Sequence, residues 1–202
     1  YTGPLTNGQS TNDNTPTLTG TAGVGDIITV FDNGLPIGVA TAVANGAWTF
    51  TPAIQSDGLH TYTITVTHLG ITSLPSMPFA VVIDTTAPAK PTIDTISDDV
   101  PLYVGGIDKN ASTNDTTPTL NGKAEAGSTV TISDNGTVLG TALADVSGNW
   151  TFTPSKALAD GQHTFTVVAT DPLGNQSTVS DGYGITISTT PPAQPTLDTV
   201  YD

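Results

Sequence analysis

The chain has 202 residues, with 4 Lys plus Arg against 18 Asp plus Glu, and its formal net charge is −14 at pH 7. Nucleic acid and anionic membrane faces repel such a chain, so both are excluded as partners. No apolar run reaches the ~18–20 residues of a membrane-spanning helix, and no membrane insertion is expected. No signal peptide is visible, and since the chain starts at Tyr1 we interpret it as a piece of a longer protein.

The sequence contains two similar copies of one unit. Three segments of the first copy return about 102 to 103 positions later: STNDNTPTL at 10–18 as STNDTTPTL at 112–120, NGAWTFTP at 45–52 as SGNWTFTP at 147–154, and DGLHTYTITVT at 57–67 as DGQHTFTVVAT at 160–170. A repeat of this length predicts two domains, which we place at 1–88 and 89–190. The segment 191–202 resembles 87–98 and is predicted to be the first strand of a following repeat. The first copy lacks its own first strand, because the chain begins at the position that matches Tyr103.

Apolar and polar residues alternate within each copy, as they do in half-buried strands. The second copy predicts seven strands, near 91–97, 117–124, 129–134, 137–144, 149–153, 162–170 and 182–189. Seven short strands in about 100 residues predict an all-β fold, with two tandem immunoglobulin-like Greek-key β-sandwiches of about seven strands each. The inward positions of the second copy predict a core of Trp150, Phe152, Phe165, Ile185 and Ile187.

Six motifs occur in a fixed order in this sequence: TNDxTPTL, the turn EAGS, the strand ending in DNG, GNWTFTP, the DGxHTFTVxATDxxGN run and DTTxPxxPTID. These motifs and their order resemble the bacterial immunoglobulin-like repeats of giant RTX and biofilm-associated surface adhesins. The resemblance covers essentially the whole chain, twice. It implies an extracellular spacer module at the bacterial cell surface, with calcium at or near the domain joints, and it does not imply an enzyme.

A comparison of the two copies divides the acidic residues into two groups. Aspartates of the DNG and DG sequences occur in both copies, and hairpin turns alone explain them. A second group of acidic and amide residues occurs only around the central joint. At the matching positions, the first copy or the second joint has other residues. This group comprises Asp84, Asp108, Asp145, Asp171 and Asn175.

These joint residues predict a calcium site. If the first strand of the second domain runs away from the first domain, the loops at 124–129, 145–149 and 171–175 lie at the end that faces it. A cation with ~6–8 oxygen ligands then relieves the repulsion among the gathered carboxylates. The predicted Ca²⁺ ligands are Asp84, Asp98, Asp99, Asp108, Asp145, Asp171 and Asn175. The alternative is that these acids are only solvated loop residues.

Other candidate sites receive structural interpretations. His60 and His163 occupy equivalent strand starts without a second His or a Cys nearby in sequence, and we interpret both as structural surface residues. No Gly-x-Ser-x-Gly, HExxH or P-loop motif is present, so no enzyme is predicted. The Thr-x-Thr rows do not predict ice binding, because a small sheet twists by ~20–25° per strand. Sugar binding would need exposed aromatic residues, for which Tyr1, Tyr103 and Tyr183 are the candidates.

The sequence therefore predicts a stalk module of a bacterial surface adhesin. Pro88 and Pro91 restrict the backbone between the domains, and Ca²⁺ is expected to make the joint rigid. The expected partners are neighbouring repeats of the same chain, the expected state is a monomer, and contact with glycan or host surfaces is assigned to other domains. The alternative function is a module that itself binds a glycan or a host protein.

Overall fold

The computed structural model describes residues 3–101, 103–191 and 193–200, and this part of the chain is all-β without a helix. It also holds no helix long and apolar enough to cross a membrane. The chain divides into two compact units. The first comprises the chain up to Thr86 together with Leu173–Asn175, and the second comprises Ala87–Pro172 and the chain from Gln176 onwards.

The first unit is built from short strands in two sheets. Its strands are β1 (Gln9–Thr11), β2 (Leu18–Thr21), β3 (Ile27–Asp32), β4 (Leu35–Thr41), β5 (Ala47–Phe50), β6 (Gly58–His68), β7 (Ile71–Thr72) and β8 (Phe79–Ile83). One sheet has the order β1-β8-β6-β3-β4, with β7 beside β6, and the other consists of β2 and β5. Strand β1 runs parallel to β8, whereas the other pairs are antiparallel.

The second unit repeats this arrangement and adds strands at its start. Its strands are β9 (Thr92–Asp98), β10 (Gly105–Ile107), β11 (Ser112–Thr113), β12 (Thr119–Lys123), β13 (Thr129–Asp134), β14 (Thr137–Leu143), β15 (Asn149–Phe152), β16 (Gly161–Thr170) and β17 (Tyr183–Ile187). The sheets have the orders β10-β9-β12-β15 and β11-β17-β16-β13-β14. All seven predicted strands form, and the fold-class prediction is confirmed. The short β10 and β11 were not predicted.

The DNG sequences form the hairpin turns that join β3 to β4 and β13 to β14. Their central residues have positive φ angles, 49° at Asn33 and 81° at Gly34, and 47° at Asn135 and 82° at Gly136. Such turns match the right-handed twist of the strands they connect. The DNG aspartates, Asp32 and Asp134, are the last residues of β3 and β13. From this position each side chain makes the contacts with a histidine that are described below.

The core of the second unit is continuous. Trp150, Phe165, Ile185 and Ile187 are at most 3% exposed, as predicted, while Phe152 is half-buried. Strand β9 contributes a fully buried residue to this core, Ile96. The alternation of apolar and polar residues along the strands therefore predicted the core of this unit correctly.

The buried residues of the first unit fall into two separate clusters, Ile28, Val30, Ala42 and Trp48 in one and Tyr62, Val81 and Ile83 in the other. The described part of this unit has no counterpart of β9 to join them. At the other end of the chain, residues 193–200 form no strand, while Pro192, Tyr201 and Asp202 lie outside the described residues. The interpretation of 191–202 as the first strand of a following repeat stays a prediction.

Candidate functional site

Asp145, one of the predicted calcium ligands, organises its own turn. Its Oδ1 accepts hydrogen bonds from the backbone N–H groups of Ser147 and Asn149, both at 2.8 Å, and the Asn149 amide Nδ2 lies 3.0 Å from Oδ2. The side-chain hydrogen bond from Asn149 is the main cause that holds the pKa of Asp145 below its usual value. The carboxylate is exposed and remains ionised well into the acid range.

Asp98 links two strands of the second unit. It is only 3% exposed, and its carboxylate accepts hydrogen bonds from the Thr113 hydroxyl and from the Val100 N–H, the latter at 2.7 Å. These contacts tie the end of β9 to β11, and they satisfy a group that would otherwise be costly to bury. The neighbouring Asp99 is exposed, and so is Asp108.

Asp84, Asp171 and Asn175 are all partly buried. Asp84 and Asn175 belong to the same compact unit, where the Asn175 amide Nδ2 donates a hydrogen bond to the Asp84 backbone oxygen at 2.9 Å. The Asp84 carboxylate accepts the Thr86 N–H at 3.0 Å. The structure thus brings two of the seven predicted ligands into direct contact.

Within the described residues, no group of three or more His, Cys, Asp or Glu side chains is arranged to hold a metal ion. The donor chemistry of the predicted set still suits Ca²⁺, which also takes backbone and amide oxygens. The calcium site and its ligand set stay a prediction.

Sequence reasoning missed a buried His–Asp pair that occurs once in each unit. His60 Nδ1 lies 2.7 Å from Asp32 Oδ2, and His163 Nδ1 lies 2.7 Å from Asp134 Oδ2. In each pair the other aspartate oxygen accepts a backbone N–H of the histidine strand, that of Thr61 or Thr164. The histidines are 6% and 8% exposed, so their interpretation as surface residues was wrong.

The second ring nitrogen of each histidine is also engaged. Nε2 of His60 is 2.8 Å from the Ser56 carbonyl, and Nε2 of His163 is 2.8 Å from the Ala159 carbonyl. A carbonyl oxygen only accepts, so Nε2 donates, and a protonated ring satisfies both neighbours at once. With both nitrogens bound to protein oxygens, these histidines act in structure.

These contacts raise the pKa of both histidines. Burial alone lowers the pKa of His163, but the hydrogen bonds to Asp134 and to the Ala159 carbonyl, together with the charge of Asp134, outweigh it. The corresponding groups around His60 have the same effect on its pKa. The folded state therefore favours the charged form of the ring.

We expect the second unit to lose stability as the pH rises above about 6.5, the ordinary pKa of a histidine. The contribution of His163 is fully present below the unfolded-state pKa of about 6.5 and disappears as the pH passes the higher folded-state pKa. The Trp48→Phe chain retains Trp150 as its only tryptophan, so urea unfolding followed by Trp150 fluorescence measures this unit. His163→Gln should flatten this pH dependence. An equally steep pH dependence of the stability in that variant would show that His163 does not cause it.

A second duplicated contact involves the DG aspartates, which the sequence comparison explained by turns alone. Asp57 accepts hydrogen bonds from the Thr85 N–H at 2.9 Å, from the Thr85 hydroxyl at 2.7 Å and from the Thr86 hydroxyl at 2.6 Å. The Thr86 hydroxyl is the largest cause that lowers the pKa of Asp57. Asp160 holds Thr189 and Thr190 in the same way. Each unit thus fixes the start of the segment that leaves its last strand.

The aromatic residues considered for sugar binding differ in exposure. Trp48 and Trp150 are 7% and 3% exposed and lie in the cores. The Tyr183 hydroxyl donates to the Ile107 carbonyl at 2.7 Å, whereas Tyr103 is 74% exposed. Tyr1 lies outside the described residues.

The fold defines the chain as a pair of immunoglobulin-like β-sandwich domains in tandem. A family model described as bacterial Ig-like domain matches residues 1–85 and again residues 90–189. The chain therefore belongs to the bacterial Ig-like domain family and contains two copies of the domain. No curated protein matches the chain.

Several solved structures are similar to the chain. The fibronectin(III)-like modules of Clostridium thermocellum CbhA are 17% identical, with a TM-score of 0.47, over 91% of this chain and 90% of that one. The BSP domain of a biofilm associated protein is 25% identical, with a TM-score of 0.34, over 91% of this chain and 29% of that one. A Bacteroides ovatus mixed-linkage glucan utilization protein, in complex with a heptasaccharide, is 16% identical, with a TM-score of 0.30, over 92% of this chain and 44% of that one. These low TM-scores support no functional conclusion.

Proposed function

We propose that the chain is a non-catalytic spacer from the stalk of a bacterial surface adhesin, of the RTX or biofilm-associated type, and that it works outside the cell. The observation that carries this proposal is the tandem repetition of one bacterial Ig-like domain along the chain. The duplicated contacts support it. Both units keep the His–Asp pair and the Asp–Thr contacts, which act in structure, so the duplication preserves the scaffold.

Calcium is proposed to control the rigidity of the joint between the two repeats. The predicted ligands are carboxylate and amide groups, which are the hard oxygen donors that Ca²⁺ prefers. With calcium bound, the carboxylates no longer repel one another and the joint holds one geometry. Once calcium is removed, repulsion among them favours a mobile joint.

Small-angle scattering of the full chain, in calcium and then in excess chelator, tests this proposal. We expect the maximum dimension to change on chelation, and calorimetric titration to show heat on adding Ca²⁺. Replacing Asp84 and Asp171 together by Asn should abolish both responses. Asp181→Asn is the matched control, because Asp181 is an exposed acid that pairs with Lys90 and lies outside the predicted set. A scattering curve that is the same with and without calcium would count against the calcium-dependent joint.

Binding of a glycan or a host protein is the alternative function, and in the described part of the chain the exposed Tyr103 is its aromatic candidate. Glycan-array binding that disappears in Tyr103→Ala would favour it over the spacer.

A further inference from the structure

Two aspartates of the second unit are buried without a positively charged partner. Asp98 and Asp115 are 3% and 1% exposed, and neither forms an ion pair with a described residue. The other two buried aspartates of the described chain, Asp26 and Asp32, each contact a histidine. The two most deeply buried carboxylates are therefore the two whose charge no described side chain balances.

The chain has no cation of its own to place beside them. Its four basic residues are all lysines, and all four are exposed. Each of the three histidines lies beside another aspartate, Asp26, Asp32 or Asp134. Because buried charges in proteins are either paired or bound to a metal ion, a cation that balances Asp98 and Asp115 has to come from the solvent.

Two oxygen atoms of consecutive residues indicate the same kind of partner. Asp115 Oδ1 accepts the Thr117 N–H at 2.7 Å, but Asp115 Oδ2 is buried and has no hydrogen-bond partner among the described residues. Asn114 Oδ1 is likewise buried and unpartnered within that part of the chain. Buried polar atoms are costly to leave unsatisfied. Since both atoms are acceptors, only a hydrogen-bond donor or a cation satisfies them.

Thr113 connects the two buried aspartates. Its hydroxyl donates to the Asp98 carboxylate and accepts the Asp115 N–H at 3.0 Å. Asp98 is the last residue of β9, whereas Asp115 follows β11 in the segment that leads to β12. Ionised carboxylates that are held near one hydroxyl repel each other, and a cation bound by both relieves this repulsion.

We propose that the second unit holds a Ca²⁺ ion between Asp98 and Asp115, with Asn114 Oδ1 as a further ligand. Ca²⁺ accepts carboxylate, amide and backbone oxygens in a flexible geometry, whereas Mg²⁺ usually keeps several waters that a buried site excludes. Neutral oxygens complete the shell, so the site needs only two acidic side chains. The ion ties the end of β9 to the segment after β11, and it takes Asp98 out of the ligand set predicted for the joint.

The burial of the ligands predicts how this ion behaves. Asp98, Thr113 and Asp115 are at most 4% exposed, so the ion exchanges with solvent only when this part of the unit opens. We expect it to bind while the unit folds and to resist a chelator that is added to the native chain. It therefore adds no heat when the native chain is titrated with Ca²⁺. The inference depends neither on the spacer role nor on the calcium proposed for the joint.

Native mass spectrometry of the full chain tests the site. The chain is refolded from urea in Ca²⁺ and dialysed against excess chelator, and we expect one Ca²⁺ ion to remain bound. Asp115→Asn should lose this ion, whereas Asp94→Asn, which removes an exposed charge from β9, should keep it. The Asp84→Asn, Asp171→Asn chain should keep it as well, so the two calcium proposals can fail separately. A wild-type chain free of calcium, or an ion retained in Asp115→Asn, would overturn the proposal.

Unfolding in urea tests the same site through the stability of the second unit, which Trp150 fluorescence follows in the Trp48→Phe chain. This chain should unfold at a higher urea concentration after refolding in Ca²⁺ than after refolding in chelator, because an ion bound only by the native state stabilises it. Asp98→Asn should reduce this difference, whereas the double variant at the joint should retain most of it. Equal urea midpoints after the two refolding conditions would contradict a calcium site inside the unit.

Discussion

Replacing Trp150 by alanine is expected to destabilise the second unit by about 3–5 kcal/mol. The indole is 3% exposed and belongs to the continuous core of this unit. Removing it leaves a cavity that the surrounding strands can fill only in part, because neighbouring pairs in the sheet hold them. Since whole domains have stabilities of about 5–15 kcal/mol, this single change removes a large fraction of the total.

Trp48→Ala is the matched variant in the first unit, and it should cost less. Trp48 is 7% exposed and borders a cavity beside β2, so its side chain has fewer packed neighbours to lose. Urea unfolding followed by far-ultraviolet circular dichroism measures both variants. In Trp150→Ala the remaining Trp48 fluorescence reports the first unit, whose midpoint should not move. Equal losses of stability in the two variants would mean that the core of the first unit is packed as completely as the core of the second.

Gly122→Ala is expected to destabilise the second unit by about 1–3 kcal/mol or more, because it overpacks the sheet. A β-carbon at Gly122 would lie 1.9 Å from the Thr92 carbonyl oxygen and 2.7 Å from Cζ2 of Trp150. The first of these atoms is backbone of β9, and the pairing of β9 with β12 is already irregular at Asn121/Gly122. The substitution therefore forces β9 away from β12, and it should accelerate hydrogen exchange of the β9 amides.

Gly20→Ala provides the comparison, because Gly20 occupies the same position in the first unit. The three nearest atoms to a β-carbon there all belong to the Trp48 side chain, the closest at 2.6 Å. A side chain beside a cavity can move, whereas a paired backbone cannot, so Gly20→Ala should cost less than Gly122→Ala. The urea midpoints of unfolding of the two variants measure this difference in stability. A smaller loss in Gly122→Ala would contradict the role given to β9.

The strands and the core of the second unit followed from sequence because both are local patterns. Alternation along 163–170 places Phe165, Val167 and Ala169 on one face, and all three are at most 1% exposed. The DNG turns were equally predictable, since a tight hairpin needs two residues with positive φ. Strands β10 and β11 were missed because three and two residues are too few to show an alternation.

The contacts that fix the turns depend on residues distant in the chain. Asp134 and His163 are 29 positions apart, and each alone looks like an ordinary turn or strand residue. The signal was nevertheless present, since Asp32 and His60 keep nearly the same separation in the first copy. A co-occurring pair of complementary side chains, repeated in both copies, would have indicated their contact. The acidic residues near the central joint show no pair of complementary side chains that is repeated in both copies. The calcium prediction therefore needs a direct measurement of Ca²⁺ binding.

The parallel pairing of β1 with β8 has a mechanical consequence. Gln9, Ser10 and Thr11 lie opposite Val81, Val82 and Ile83, so β1 and the last strand of the unit, β8, run side by side in one direction. A tensile load on the two ends of the unit acts along these strands in opposite senses. The interstrand hydrogen bonds are then sheared together instead of being opened one after another, and the unit yields only when the whole row breaks. Strands β11 and β17 form the same parallel pair in the second unit.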